Sequence, residues 1–413
     1  MKVLISAYSC EPGRGSERGV GWNVAREVAK RHEVWVLTRP DESKEAIEAE
    51  LAANPVPNLH FVYFTLPFWQ DSMRLGQSGA MQVHYYLWQI QAYFVARRLH
   101  KEIGFDVTHH VTFVKYSAPS LLSFLPVPFV WGPVGGGESA PPKFWKDFSL
   151  KARLYEWARD ITRNIGQRDP LVTLTAKKST VVRATTEDTA TRLYNMGASQ
   201  VQIVPEVGLL DEEIALLNQC PLPSSQPVRF ISMGRLLHWK GFHLGIQAFA
   251  KANLSDAEYW LVGDGPELES LKQLAQDYSV GNQVKFWGRL PRENTLERLG
   301  ESHVLVHPSL HDSGGWVCIE AMASGRPVIC LDLGGPAIQV TEQTGFKVAA
   351  QEPELTITEM AKAMQTIAND PELRVKMGKA GRHLVNDNFN WNVVGERLDT
   401  LYVETVAATP VMA

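Results

Sequence analysis

Short apolar runs alternate with longer amphipathic stretches through most of the chain, a rhythm that predicts strands alternating with helices. Val3 to Ala7 reads as a strand, Val20 to Lys30 as an amphipathic helix and Glu33 to Thr38 as the next strand. The rhythm resumes at Val181 to Arg183 and at Val201 to Gly208, and VRFISMGRLLHWKGFHLGIQAF, from Val228, restarts a strand–loop–helix unit. Trp260 to Ala275 then gives a strand, a Gly-Asp-Gly-Pro turn and a helix. Between the two series lies LNQCPLPSSQ, Leu217 to Gln226, whose turn formers mark a linker. Such alternation predicts an α/β chain of two Rossmann-like β/α/β domains facing across a cleft, residues 1–218 and 219–390, followed by a terminal segment, 391–413.

Two stretches depart from that rhythm. Leu59 to Leu99 is crowded with aromatics, and the helical spacing from Val83 to Leu99 assigns most of them to a core, with a minority free to line an acceptor site. Lys143 to Arg168 mixes seven Lys and Arg with Phe144, Trp145, Phe148, Leu154, Tyr155 and Trp157, interrupted by Asp147, Glu156 and Asp160. A solvated helix face is the favoured reading, and a peripheral membrane contact through 143–168 stays open.

Composition changes the picture only by exclusion. The 413 residues carry a net charge of −4, which gives no reason to expect nucleic acid as a partner. The four cysteines, Cys10, Cys220, Cys318 and Cys330, show no paired spacing, which favours a reducing cytoplasm. MKVLISAYS lacks a signal-peptide pattern, and no apolar run approaches the roughly 20 residues of a membrane span.

The candidate chemistry gathers in HPSLHDSGGWVCIEAMASGRPVICLDLGG, His307 to Gly335. It reads as a strand end, a glycine turn, a short helix from Trp316 to Ser324, a strand and a second glycine turn. Gly314 and Gly315 let backbone approach a ligand, and the amides from Gly315 to Val317 open a helix that favours a phosphate. Asp312 before the helix and Glu320 inside it suit hydroxyls of a sugar or ribose, so the stretch reads as a nucleotide-sugar site. Elsewhere, CEPGRGSERG opens a helix but lacks GxGxxG, which disfavours hydride transfer. His109 and His110 end a strand at the place where α/β domains expose functional groups, and neighbours on a strand face opposite ways. His110 is the favoured site residue of the two, and a buried structural role stays open for each. WGPVGGGES, Trp131 to Ser139, reads as an acceptor-side loop or a plain connection.

These motifs resemble the retaining glycosyltransferases of family 4, with the GT-B fold. The match rests on the E-x7-E spacing of Asp312 and Glu320 with the Glu-Ala-Met-Ala-x-Gly tail, on Gly234-Arg235 with Lys240-Gly241, and on Gly288-Arg289-Leu290. Gly15 and Glu17 fall on the family's N-terminal GGxE turn, and Phe389 to Val406 on the helix that crosses back to the first domain. Four positions depart: Asp312 for Glu, Arg14 for Gly, Glu206 for Asn, and Ile338 for an acid. The resemblance implies that Arg235 and Lys240 stabilise the leaving diphosphate, assisted by the amides from Gly314 to Val317, Trp316 included. It implies that Glu320 meets the ribose, and that Gly15, Gly234, Arg289 and Leu290 line the donor site. Asp312 then addresses the donor sugar, and His110 supports the sugar or its developing positive charge. No metal and no cofactor beyond the nucleotide-sugar donor is implied, since no DxD occurs. The acceptor would be a glycan or lipid-linked saccharide, handled in the cytoplasm or at the inner face of the membrane. The alternative is a catalytically weak nucleotide-sugar-binding subunit of another transferase, in which Asp312 marks lost chemistry.

Overall fold

The computed structural model describes residues 1–69, 79–205, 207–221 and 226–408. Glu206, and residues 222–225 of the linker candidate, lie outside the described residues. The chain forms two compact units: Met1–Gly137 with Ile161–Glu206 and Trp391–Ala413, and Glu138–Asp160 with Val207–Asn390.

The first unit is built on β1 (Lys2–Ala7), β2 (Glu33–Thr38), β3 (Leu59–Tyr63), β4 (Val107–Thr112), β5 (Phe129–Val134), β6 (Val181–Ala184) and β7 (Val201–Ile203). They form a sheet in the order β3-β2-β1-β4-β5-β6-β7, parallel throughout. The second is built on β8 (Val228–Met233), β9 (Ala257–Val262), β10 (Val284–Gly288), β11 (Val304–His307), β12 (Val328–Leu331) and β13 (Gly345–Val348). Its order is β10-β9-β8-β11-β12-β13, again all parallel. Parallel strands need covered faces, which explains the Val, Ile and Leu in most of these runs, with β4 (Val-Thr-His-His-Val-Thr) the polar exception. Along β8, Phe230 enters one core with Tyr259 and Phe249, while its neighbour Ile231 enters another with Trp260 and Ile319.

In each sheet the order reverses direction once, between β1 and β4 and between β8 and β11, and ligands of open α/β sheets bind beyond the strand ends there. Gly245 shows how tightly the Phe242–Ala252 helix lies on the second sheet, since a Cβ there would sit 2.2 Å from the Tyr259 hydroxyl. The Trp391–Ala407 helix packs in the first unit, as its resemblance implied. Gly395 lies against Glu27, His32 Nε2 is 2.9 Å from Asp399, and Tyr402 reaches His109. In the aromatic stretch Tyr85 and Trp88 are buried, as helical spacing predicted, whereas Phe68 and Phe94 are exposed. Residues 138–160 fold with the second unit because Ala140, Phe144, Phe148 and Ala152 enter its core.

Candidate functional site

At the reversal point of the second sheet, two loops meet. After β8 the chain passes Gly234 and Arg235 into a single 3₁₀ turn, His238–Lys240, and Gly241 starts the next helix in the left-handed conformation at φ 67°. Only glycine fits at 241, because a Cβ would stand 1.9 Å from the Pro308 carbonyl. That close approach places the turn beside the segment after β11, and the Leu310 amide donates to the Trp239 carbonyl at 2.8 Å. Lys240 Nζ thereby reaches Asp312 Oδ2 at 2.5 Å.

Asp312 is the hub. His307 Nε2 donates to Oδ2 at 3.1 Å, and the Gly314 and Gly315 amides donate to Oδ1 at 3.3 Å each. Burial pushes the Asp312 carboxyl up, but His307 and Lys240 outweigh it and hold the group far below the usual carboxylate range. Burial pushes the His307 pKa down against the pull of Asp312, to which its Nε2 donates. Gly315 caps the Trp316–Ala323 helix at φ 56°, beneath Gln339, whose Nε2 donates to the Gly314 carbonyl. Two backbone amides, an ammonium and an imidazole thus converge on one carboxylate, an arrangement suited to anions.

Glu320 lies one turn along that helix and is nearly buried. Its Oε1 accepts from Arg292 Nη1 at 2.7 Å, and Arg292 Nη2 reaches Glu213 at 2.8 Å. Burial raises the Glu320 pKa against the pull of Arg292. Arg289 is exposed, while Leu290, Trp316 and Val317 pack half-buried on the same core cluster. Arg235 is exposed and, unlike Lys240, has no acidic partner among the described residues.

A second layer supports the Lys240 turn from behind. Glu156, fully buried, accepts from His238 Nε2 at 2.9 Å, Arg159 Nη1 at 3.1 Å and His311 Nε2 at 3.4 Å. Burial opposes its ionisation, but the two histidines and Arg159 hold it well below the carboxylate range. Trp239 stacks between Tyr155 and His311, with ring centroids 5.3 Å away on each side. Ser313 Oγ donates to the nearly buried Glu138 at 2.7 Å. Sequence reasoning treated Glu156 only as an interruption of a basic stretch and missed Arg292 and Glu213. Only His311, adjacent to Asp312 in the sequence, pointed towards that cluster.

In the first unit, both histidines of β4 are fully buried, and burial pushes each pKa down to about 3. His109 is spent: Nε2 donates to the Gly132 carbonyl at 2.7 Å and Nδ1 accepts from the Tyr402 hydroxyl at 2.6 Å. His110 Nε2 lies 3.2 Å from the Thr112 carbonyl and 3.3 Å from the Tyr85 hydroxyl, and its Nδ1 has no partner among the described residues. Gly15 caps the Ser16–Ala29 helix and faces open space. Two glycines of WGPVGGGES are demanded by packing within their own unit, since Cβ atoms at Gly132 and Gly137 would collide with Arg183 and Thr189. Among the described residues no group of three His, Cys, Asp or Glu is disposed to hold a metal ion, and no helix is long and apolar enough to cross a membrane.

Comparison with known proteins adds four findings. Residues 219–384 match the family described as "Glycosyl transferases group 1". The lipopolysaccharide core biosynthesis glycosyltransferase LpsE of Rhizobium meliloti is 31% identical over 189 residues, 46% of this chain and 52% of LpsE, so the match spans about half of that relative's length. Among solved structures, sucrose-phosphate synthase from Thermosynechococcus elongatus superposes with a TM-score of 0.63 at 20% identity, over 99% of this chain and all of that one. The Anabaena protein Alr3699/HepE, solved with UDP and glucose, superposes with a TM-score of 0.61 at 17% identity, over 98% of this chain and all of that one.

Proposed function

Because residues 219–384 match the group 1 glycosyl transferases and the chain has the GT-B fold, we propose that it moves a sugar from a nucleoside-diphosphate sugar to a hydroxyl of a glycan or lipid-linked saccharide. The observation that carries this reading is the anion cradle at the β8–β11 reversal: Lys240 and the Gly314 and Gly315 amides converging on one carboxylate.

In the proposed reaction the bond from the anomeric carbon to the diphosphate breaks, and its electrons pass to the leaving phosphate oxygen. The acceptor oxygen bonds to that carbon on the same face, with retention, and its proton goes to the departing phosphate. Negative charge therefore grows on the phosphate, where fixed cations help most. An ammonium has three donors and Asp312 takes one, so Lys240 can still meet phosphate oxygens, joined by the exposed Arg235. With two cations and a helix start supplying the charge, the reaction is proposed to need no metal ion. Glu320 is assigned to ribose hydroxyls, since Arg292 engages its Oε1. Asp312 is assigned to the donor sugar. His110 is assigned to a sugar hydroxyl or to the developing positive charge, a role that requires its buried Nδ1 to be uncovered when the donor binds.

One observation favours the second reading, a nucleotide-sugar-binding subunit with little activity. The Asp312 carboxylate is turned to Lys240, His307 and two amides. Donor hydrolysis without acceptor separates the two, since only an enzyme releases nucleoside diphosphate. The primary test is thermal shift against uridine and guanosine diphosphate sugars, UDP-glucose first. A matching donor at 100 times its Kd adds about 2.7 kcal/mol of stability. Turnover of that donor is expected to persist in excess EDTA, and a loss that Mg²⁺ restores overturns metal independence. A chain stabilised by no nucleotide sugar has no donor site.

A further inference from the structure

The Leu150–Gln167 helix has two faces of opposite chemistry. Ala152 and Glu156 are buried, Glu156 among His238, His311 and Arg159, and Asp160 accepts from the Ser139 hydroxyl. On the other face Leu150, Leu154, Trp157, Ile161 and Ile165 are 82, 63, 57, 37 and 65% exposed. At 3.6 residues per turn these five side chains fall within an arc of about 80°, one straight stripe along the helix. A contiguous exposed stripe of large apolar groups marks a surface that something covers.

The charges beside the stripe select what covers it. Lys151 and Arg153 flank it on opposite sides, Lys146 precedes it, and Arg168 stands in line with it beyond its far end, all exposed. Arg153 is fixed there by its bonds to the Phe148 and Lys146 carbonyls. Glu156 and Asp160, the helix's own acids, are both engaged by protein groups, and the exposed acids nearby are Asp147, Glu354 and Glu352, the last paired with Lys143 at 2.6 Å. A second copy of the chain docked on this stripe would bring like cations together, whereas anionic headgroups would neutralise them. A tryptophan within an apolar stripe bordered by cations also suits the boundary between headgroups and acyl chains.

We infer that the Leu150–Gln167 helix is a docking surface for an anionic lipid membrane, lying in the interface with its apolar stripe inward. The inference stands apart from the donor site, because vesicle binding needs no turnover. Its test is cosedimentation of the purified full chain with vesicles of phosphatidylcholine alone or mixed with phosphatidylglycerol. Binding is expected to the mixed vesicles and to weaken as salt is added, since the cations act through screened charge. The double variant Leu154→Glu/Trp157→Glu is expected to lower partitioning at least about tenfold. Lys146→Glu/Lys151→Glu is expected to abolish the preference for phosphatidylglycerol. Both should keep the wild-type melting temperature and nucleotide-sugar thermal shift, which separates lost docking from lost folding or a lost donor site. Absence of binding to either vesicle overturns the inference, as does binding that neither variant changes. A wild-type dimer that Leu154→Glu/Trp157→Glu converts to monomer, without vesicle binding, assigns the stripe to a second copy instead.

Discussion

The two units repeat one strand order and put opposite chemistry at the same point of it. Beyond β8 and β11 the second unit gathers Lys240, Asp312, His307 and two glycine amides, with Arg235 exposed nearby. Beyond β1 the first unit cancels its charge internally, Glu11 bonding both Arg14 and Arg18, and β4 supplies imidazoles that burial keeps neutral. The same scaffold thus offers fixed positive charge in one unit and neutral hydrogen-bonding groups in the other. The sheets are alike, so the difference in chemistry lies in the loops and strand ends that each part of the sequence supplies.

That contrast is most easily broken behind the charged loops. Glu156→Ala leaves His238, His311 and Arg159 facing a hole where their shared carboxylate was. Removing one member of a buried charged cluster typically costs about 3 kcal/mol or more. Thermal or urea unfolding should show a loss of that size, with Glu156→Gln intermediate because it keeps acceptor oxygen. A loss below about 0.5 kcal/mol, the range of an ordinary surface substitution, would mean that the cluster does not support the loops.

Next in size comes the front of the same loops. On the proposed role of Lys240 at the leaving phosphate, Lys240→Ala should lower kcat by about 10²-fold or more with a smaller change in donor KM. Wild-type kcat with a stabilising donor would remove Lys240 from the reaction and leave the two units less different than they look.

The motif side of this contrast was legible in the sequence, and the supporting side was not. The glycines signalled backbone that only they can adopt or fit: Gly241, Gly315 and Gly334 take φ of 67°, 56° and 60°, and Gly241 closes on the Pro308 carbonyl. Strand alternation located both sheets, because parallel strands must be apolar on both faces. Arg292 was invisible because its partners, Glu320 and Glu213, lie 28 and 79 residues away and share no short spacing with it. Glu156 was hidden for the same reason, its histidines standing 82 and 155 residues further on. Its helix was read from composition, which favoured a solvated face, and composition does not show that the outward face is an apolar stripe.

The neutral histidines of the first unit predict an effect of intermediate size. His109 and His110 have folded pKa values near 3, below the ordinary histidine value of about 6.5. The unfolded chain therefore binds protons first as pH falls, and stability is full above about pH 6.5 and lost on the way down towards 3. By pH 5 each histidine should have cost about 2 kcal/mol, read as a falling melting temperature from pH 7 to 5. His109→Gln, which keeps hydrogen-bonding capacity without titrating, should flatten that slope. An unchanged slope would mean that His109 is not the buried neutral group the structure shows.

The smallest effect sharpens the comparison inside the second unit, between the end of the donor that changes charge and the end that does not. Glu320 sits under Arg292, which also holds Glu213, so Glu320→Gln keeps an oxygen for Arg292 and leaves the Arg292–Glu213 pair intact. The fold should survive, and the loss should fall on the ligand. A charged hydrogen bond to a ribose hydroxyl contributes about 1.5 kcal/mol at the low end, which is roughly a tenfold rise in donor KM. Ribose bonding changes little as the glycosidic bond breaks, so kcat should move much less. The mirror-image pattern, with Lys240→Ala acting on KM and Glu320→Gln on kcat, would reverse the orientation of the donor. Wild-type kinetics in both variants, with every donor that stabilises the chain, would place the donor away from the β8–β11 loops altogether.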